Sequence, residues 1–148
     1  MTIKNILVPY EGSTLSKKAL DLARDIARNF TADLTIFMVI PVYYPINDSI
    51  FAGATITNYH DIVKILKRQG EQELGKVVQK CREGGIKTSY KIVHDDISNA
   101  ILKQAKKSKA DMIIMGSRRL TGVSALKRLG STARHVSEHA KCPVTIVH

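Results

Sequence analysis

Short apolar runs alternate along the chain with longer segments in which apolar positions recur every three or four residues, and that alternation predicts an α/β domain. The strand candidates are residues 6–8, 34–40, 90–93, 112–115 and 144–147, separated by four helical stretches. After Ser13, a good N-cap residue, Leu15, Ala19, Leu22, Ile26 and Phe30 define a stripe expected to face a sheet. A longer helix is expected over 60–83, carrying Ile62, Ile65, Leu66, Leu74, Val77, Val78 and Cys81, with Gly84-Gly85 as its left-handed stop. Two more are expected over 98–108 and 131–140, with Asp95-Asp96 supplying charge and a cap to the former.

Strands one, two and four read as continuous runs, as strands covered on both faces do, whereas Tyr90-Lys91-Ile92 and Val144-Thr145-Ile146 interleave polar residues as edge strands do. With right-handed crossovers these constraints give one Rossmann-like open parallel sheet of five strands in the order 3-2-1-4-5, helices on both faces, filling residues 1–148 as a single domain. Its switch point falls between strands one and four, and ligands bind beyond the carboxyl ends of such strands.

Composition narrows the class further. At 148 residues and 44% apolar, the chain can bury a core without disulfides or a structural metal. No apolar run approaches the roughly 20 residues of a membrane span, so neither secretion nor membrane insertion is expected. Cys81 and Cys142 stand far apart with no ligand spacing, which reads as reduced thiols in a cytoplasmic protein. The formal charge of +10 permits an anionic partner. Eight of those net charges fall between Lys103 and Lys141, where ten Lys and Arg face only Asp111 and Glu138.

The segments beyond the switch-point strands are rich in glycine and hydroxyl residues: Pro9-Tyr10-Glu11-Gly12-Ser13 after the first and Gly116-Ser117-Arg118-Arg119 after the fourth. Gly130-Ser131-Thr132 opens the last helix, where free N–H groups and the helix dipole suit an anion; a plain loop glycine followed by an N-cap serine fits the same residues. Arg118 and Arg119 can serve as charged forks for phosphate or simply stand in a solvated loop. His135 and His139 lie four apart on a helix with no third ligand beside them, and His60, His94 and His148 are isolated.

Together these residues resemble the universal stress proteins along nearly the whole chain. The resemblance rests on Ile6-Leu7-Val8-Pro9 with Gly12-Ser13, the Ala-rich first helix, the segment from Ala110 to Arg118, Gly130-Ser131, Val136, and Cys142-Pro143-Val144-Thr145-Ile146-Val147. It implies the fold inferred above and, for one branch of the family, ATP binding through Gly, two residues, Gly, nine residues, then Gly with Ser or Thr. Gly116 and Gly130-Ser131 match that pattern, but Arg119 stands in place of the middle glycine and the spacing is one residue longer. The extra residue can be absorbed around Leu120-Thr121-Gly122, where Gly122 can bend the chain. Glu11 stands where the family usually has aspartate. By resemblance, Pro9, Tyr10 and Val39 border the adenine, Met115 and Gly116 the ribose, and Gly130, Ser131 and Thr132 the phosphates of an ATP or other adenine nucleotide.

The leading functional reading is a nucleotide-binding regulatory protein of the stress response, acting through ligand-dependent conformation and an unidentified protein partner. Glu11 can hold Mg²⁺ through water, with at most slow ATP hydrolysis, because no Ser-His-Asp or Cys-His arrangement and no base near a terminal phosphate is visible. An ATP-cleaving enzyme on a related fold would carry a Ser-Gly-Gly loop after the first strand, which is absent here. A nucleic-acid binder has the charge in its favour, but aromatic content is only 5%, with no Trp and no stacking motif; a stress protein that binds no nucleotide is the remaining alternative. The stretch 41–58 is long and apolar for a loop, with Tyr43, Tyr44, Ile46, Ile50, Phe51 and Ile56, which suits a lid, a partner contact or packing on the second helix. Finally, Val144, Thr145, Ile146 and Val147 are all β-branched and precede only His148, so this edge is expected to pair with a second copy in a homodimer.

Overall fold

Five parallel strands form one sheet in the order β3-β2-β1-β4-β5. The computed structural model describes residues 2–42, 59–117 and 129–148. Its elements are β1 (Asn5–Pro9), α1 (Thr14–Phe30), β2 (Asp33–Pro41), α2 (Tyr59–Glu83), β3 (Thr88–Asp95), α3 (Ile97–Lys107), β4 (Met112–Gly116), α4 (Ser131–His139) and β5 (Val144–Val147). The expected order is therefore the observed one. β3 extends beyond residues 90–93, and the last two helices are displaced by a residue at one or both ends.

The alternation of side chains along each strand divides the core in two. Ile6, Val8, Leu34, Ile36 and Ile114 pack against α1 and α2, while Leu7, Phe37, Ile113 and Met115 pack against α3 and α4. A strand sandwiched in this way is apolar at most positions, which explains why the central strands read as near-continuous runs. β3 and β5 each have one strand neighbour, and the four residues of β5 are half-buried.

The stripe expected on α1 is rotated from the one that packs. Ser16, Ala19, Leu20, Ala23 and Ala27 are buried, whereas Leu22 is 36% and Phe30 52% exposed. The small side chains let α1 lie close to the sheet, and the larger apolar residues fall at the margins. The closeness is extreme where α1 passes the end of β4: a Cβ on Gly116 would stand 2.7 Å from the carbonyl carbon of Leu15. On α2, Ile62, Leu74, Val78 and Cys81 are buried as expected, but Ile65 is 38% exposed, because buried Gly70 brings the helix against Met38 and leaves Ile65 off the contact line. The helix stops as expected: Gly85 takes φ 79°, and the Ile86 N–H donates to the Cys81 carbonyl at 3.1 Å.

At the amino-terminal ends of the strands the chain ties itself together. The Asp111 carboxylate, just ahead of β4, accepts from the Lys4 and Asn5 N–H groups, both at 2.9 Å. These two backbone donors hold its pKa below the ordinary carboxylate value. Burial pushes both thiols, Cys81 and Cys142, above their ordinary value, as suits structural cysteines. No helix among the described residues is long and apolar enough to cross a membrane.

Candidate functional site

A cleft of about 1150 Å³ lies over the carboxyl ends of β1 and β4. Its first wall is the exit of β1. Tyr10 continues the pairing with β2, its N–H donating to the Phe37 carbonyl at 2.9 Å. Its ring is buried, and its hydroxyl reaches across to donate to Glu73 Oε1 of α2 at 3.2 Å. Burial, the nearby charge of Glu73 and that hydrogen bond push the Tyr10 pKa up to about 12. Gly12 turns the chain with φ 84° and lies so near Glu73 that a Cβ there would stand 2.9 Å from Oε1. Ser13 then caps α1, its Oγ accepting from the Ser16 N–H at 3.1 Å while its hydroxyl donates to the exposed Glu11 carboxylate.

The second wall is the exit of β4 together with the start of α4, and here the helix ends can be compared. α1 is capped by Ser13 and α3 by Asp96, whose Oδ1 accepts from the Asn99 N–H at 2.9 Å. α4 begins on Gly130, which has extended backbone and no side chain to offer. The cap position therefore belongs to Gly130 rather than to Ser131. In α4 the Gly130 carbonyl accepts from the Arg134 N–H at 3.0 Å; the N–H groups of the first turn have no partner within the helix. Gly130, Ser131 and Thr132 all line the cleft.

Of the residues picked from sequence, Pro9, Tyr10, Glu11, Val39, Met115, Gly116, Gly130, Ser131 and Thr132 border this one cleft. Gly12 sits at the bend behind it rather than on its lining. Arg118, Arg119, the stretch around Gly122 and residues 43–58 of the long loop lie outside the described residues.

Several lining residues are not among those assigned to the site from sequence, although Ser117 belongs to the hydroxyl-rich segment after the fourth strand. Leu66, Gln69, Gly70 and Glu73 bring one face of α2 to the cleft, and their three- and four-residue spacing was the available signal. Ser117, 1% exposed, follows β4 with its N–H donating to the Val147 carbonyl at 2.8 Å, and its hydroxyl has no hydrogen-bond partner among the described residues. His135 and Glu138 approach from α4. The His135 and His139 rings stack at 4.3 Å between centroids, but no group of three or more His, Cys, Asp or Glu among the described residues is placed to hold a metal.

Apolar walls beside β1 and β2 and an uncapped helix start suit a ligand with a flat apolar body and an anionic tail. Known proteins resembling this chain bear on that chemistry. The universal stress protein family model matches residues 2–148. A universal stress protein of Methanocaldococcus jannaschii is 34% identical over 147 residues, covering 97% of this chain and 81% of its own. One of Bacillus subtilis is 31% identical over 145 residues, covering 96% of this chain and 97% of its own. Among solved structures, the universal stress protein UspA from Lactobacillus plantarum has the same fold, with a TM-score of 0.78 at 22% identity over 100% of this chain and 99% of its own. A universal stress protein in complex with cAMP has a TM-score of 0.64 at 24% identity, covering 100% and 98%. One from Archaeoglobus fulgidus in complex with dAMP has a TM-score of 0.67 at 20% identity, covering 100% of both chains.

Proposed function

The chain belongs to the universal stress protein family, and we propose that it is a cytoplasmic regulatory protein that binds an adenine nucleotide, ATP with Mg²⁺, in the cleft over β1 and β4. The observation that carries this reading is the meeting of three elements far apart in sequence, the exit of β1, the exit of β4 and the uncapped start of α4, around one cleft. Two similarly folded proteins bind adenine nucleotides, cAMP in one case and dAMP in the other.

The residues fit such a ligand. Pro9, Val39 and the buried Tyr10 offer an apolar border for the base, and Met115 and Gly116 lie beside the sugar. The free N–H groups at Ser131 and Thr132 take phosphate oxygens without a capping side chain to displace. Glu11 is exposed at the mouth and can hold Mg²⁺ through water, the ion neutralising phosphate charge. The described cleft offers no activated nucleophile, so this reading is of binding, with hydrolysis at most slow. Binding would act on partners through α2, which Glu73 ties to Tyr10.

The same reading includes a homodimer. β5 pairs with β4 and leaves its other edge without a strand, its residues half-buried and free of charge, and antiparallel pairing with a second copy would satisfy that edge. Light scattering should give about twice the 16.4 kDa chain mass, and Ile146→Lys should shift it towards one chain. A wild-type monomer at high micromolar concentration would remove the dimer.

Nucleotide binding is tested by thermal unfolding with ATP, ADP and AMP. A ligand at about 100 times its dissociation constant should stabilise the fold by roughly 2.7 kcal/mol. Unfolding unchanged by all three at millimolar concentration, with no nucleotide released from freshly purified protein, would remove the reading.

A further inference from the structure

The two edges of the sheet differ in chemistry. β5 carries no charge over its four residues, whereas β3 is eight residues long, contains no proline and has β2 as its one strand neighbour. The register shows which of its backbone groups are spent. Leu34 stands opposite Thr88 and its N–H donates to the Lys87 carbonyl at 2.9 Å, so Lys87, Ser89, Lys91 and Val93 turn their N–H and carbonyl groups towards β2. Thr88, Tyr90, Ile92 and His94 turn theirs outward. The Thr88 carbonyl is taken by Arg82, whose Nε donates to it at 2.9 Å. Those of Tyr90, Ile92 and His94 have no partner among the described residues. An edge of this length with open donors and acceptors is a template for another extended chain.

A groove of about 230 Å³ runs beside that edge, between β3 and α3. Phe37, Val93 and Ala100 give it an apolar floor, and Lys91, Lys103 and Lys107 supply its positive charge. Asp95 is the one carboxylate in the lining, and it pairs with Lys103 at 3.2 Å. Among the described residues, Lys91 meets a neutral partner, its Nζ donating to Gln104 Oε1 at 3.2 Å, and Lys107 has no carboxylate partner. Two positive charges are thus left over the floor. A chain paired with β3 would lay every second side chain over this groove. Of the groove residues, Phe37 alone also lines the cleft over β1 and β4.

We propose that the β3 edge is the docking site of a partner protein, which adds an extended segment to the sheet and places acidic side chains at alternate positions over the lysines of the groove. Main-chain pairing supplies affinity, and the charge selects the partner. A second copy of this chain would bring the same lysines to the contact and be repelled, a bar that the uncharged β5 edge does not raise. A nucleic acid matches the charge but has no peptide groups to meet Tyr90, Ile92 and His94. This surface lies outside the nucleotide reading and stands whether or not the cleft is filled.

The test follows the fluorescence anisotropy of a labelled peptide of alternating glutamate and valine, titrated with the full chain at low ionic strength. Saturable binding is expected. A lysine-valine counterpart, and the acidic peptide N-methylated throughout so that it cannot donate to the edge, should each bind at least about tenfold more weakly. Tyr90→Pro should weaken the acidic peptide about tenfold, because it removes an outward N–H and no bond to β2. Lys107→Glu should weaken it about fivefold. Should Tyr90→Pro fail to fold, Lys107→Glu and the methylated peptide decide the matter. No binding of the acidic peptide, equal binding of its methylated form, or indifference to Lys107→Glu would overturn the proposal. So would displacement of the peptide by a single-stranded oligonucleotide at equal concentration of charge, which would make the surface a general polyanion site. A wild-type dimer dissociated by Tyr90→Pro would give the edge to a second copy and overturn it as well.

Discussion

At the amino-terminal ends of the strands, Asp111 takes the Lys4 and Asn5 N–H groups at 2.9 Å, and the Asp33 N–H donates to the Lys4 carbonyl at 2.7 Å. The Leu34 N–H donates to the Lys87 carbonyl at 2.9 Å, and the Lys87 ammonium pairs with Asp33. At the carboxyl ends, α4 starts on a glycine with no side-chain cap and Ser117 keeps an unpartnered hydroxyl beside a cleft. One end of the sheet satisfies its polar groups from within the chain, and the other starts a helix with no side-chain cap beside a cleft. Polar groups that the fold completes serve stability, whereas those it leaves incomplete are available to a ligand.

That contrast is broken most severely at Gly130. A branched side chain there would block access to the N–H groups of α4, so Gly130→Val should weaken adenine-nucleotide binding about a hundredfold or more, equivalent to about 3 kcal/mol. Its extended backbone accepts valine, so calorimetry should find the unfolding midpoint lowered by no more than about 4 °C. Isothermal titration showing full-strength binding would place the ligand elsewhere.

The opposite pattern is expected at the amino-terminal end. Asp111→Ala should lower the midpoint by about 2–4 °C at pH 7 and leave nucleotide affinity unchanged. Because the folded pKa of Asp111 lies below the unfolded value of 3.8, its contribution is present above 3.8 and lost as pH falls through the folded value. Denaturation curves of wild type and variant should therefore converge as the solution is acidified below pH 3.8.

The smallest effect at neutral pH belongs to Tyr10, at the boundary between the two behaviours: it is buried like core yet lines the cleft. Its pKa of about 12 exceeds the unfolded value of 10.0, so between those values the unfolded chain binds fewer protons and stability falls as pH rises. Tyr10→Phe should flatten that alkaline limb while changing stability at pH 7 by about 1 kcal/mol or less. An alkaline limb as steep as wild type would show that Tyr10 does not titrate in this way.

How far the sequence reveals these two ends differs in physical terms. Strand order was legible because burial on two faces favours near-continuous apolar runs within β1, β2 and β4, while β3 and β5 could afford alternating polar residues. The facing of α1 was not, because apolar periodicity marks Leu22 and Phe30 as strongly as Ala19 and Ala23, and only the closeness of helix to sheet selects the small residues. In the cleft, Gly116 and Gly130-Ser131 could be found from topology, since strand ends at a switch point converge. Glu73 could not, because its meeting with Tyr10 spans 63 residues and depends on how α2 crosses the sheet. Ser117 was visible only as part of the hydroxyl-rich segment after the fourth strand, and its burial at 1% exposure was not legible there.

The contrast between the ends is tested most directly by backbone amide NMR of the labelled protein titrated with ATP and Mg²⁺. The account predicts saturable shifts concentrated at residues 10–13, 115–117 and 130–134, with amides at 3–5, 32–34 and 109–112 unmoved. Shifts concentrated at the amino-terminal ends of the strands, or none at millimolar nucleotide, would contradict it.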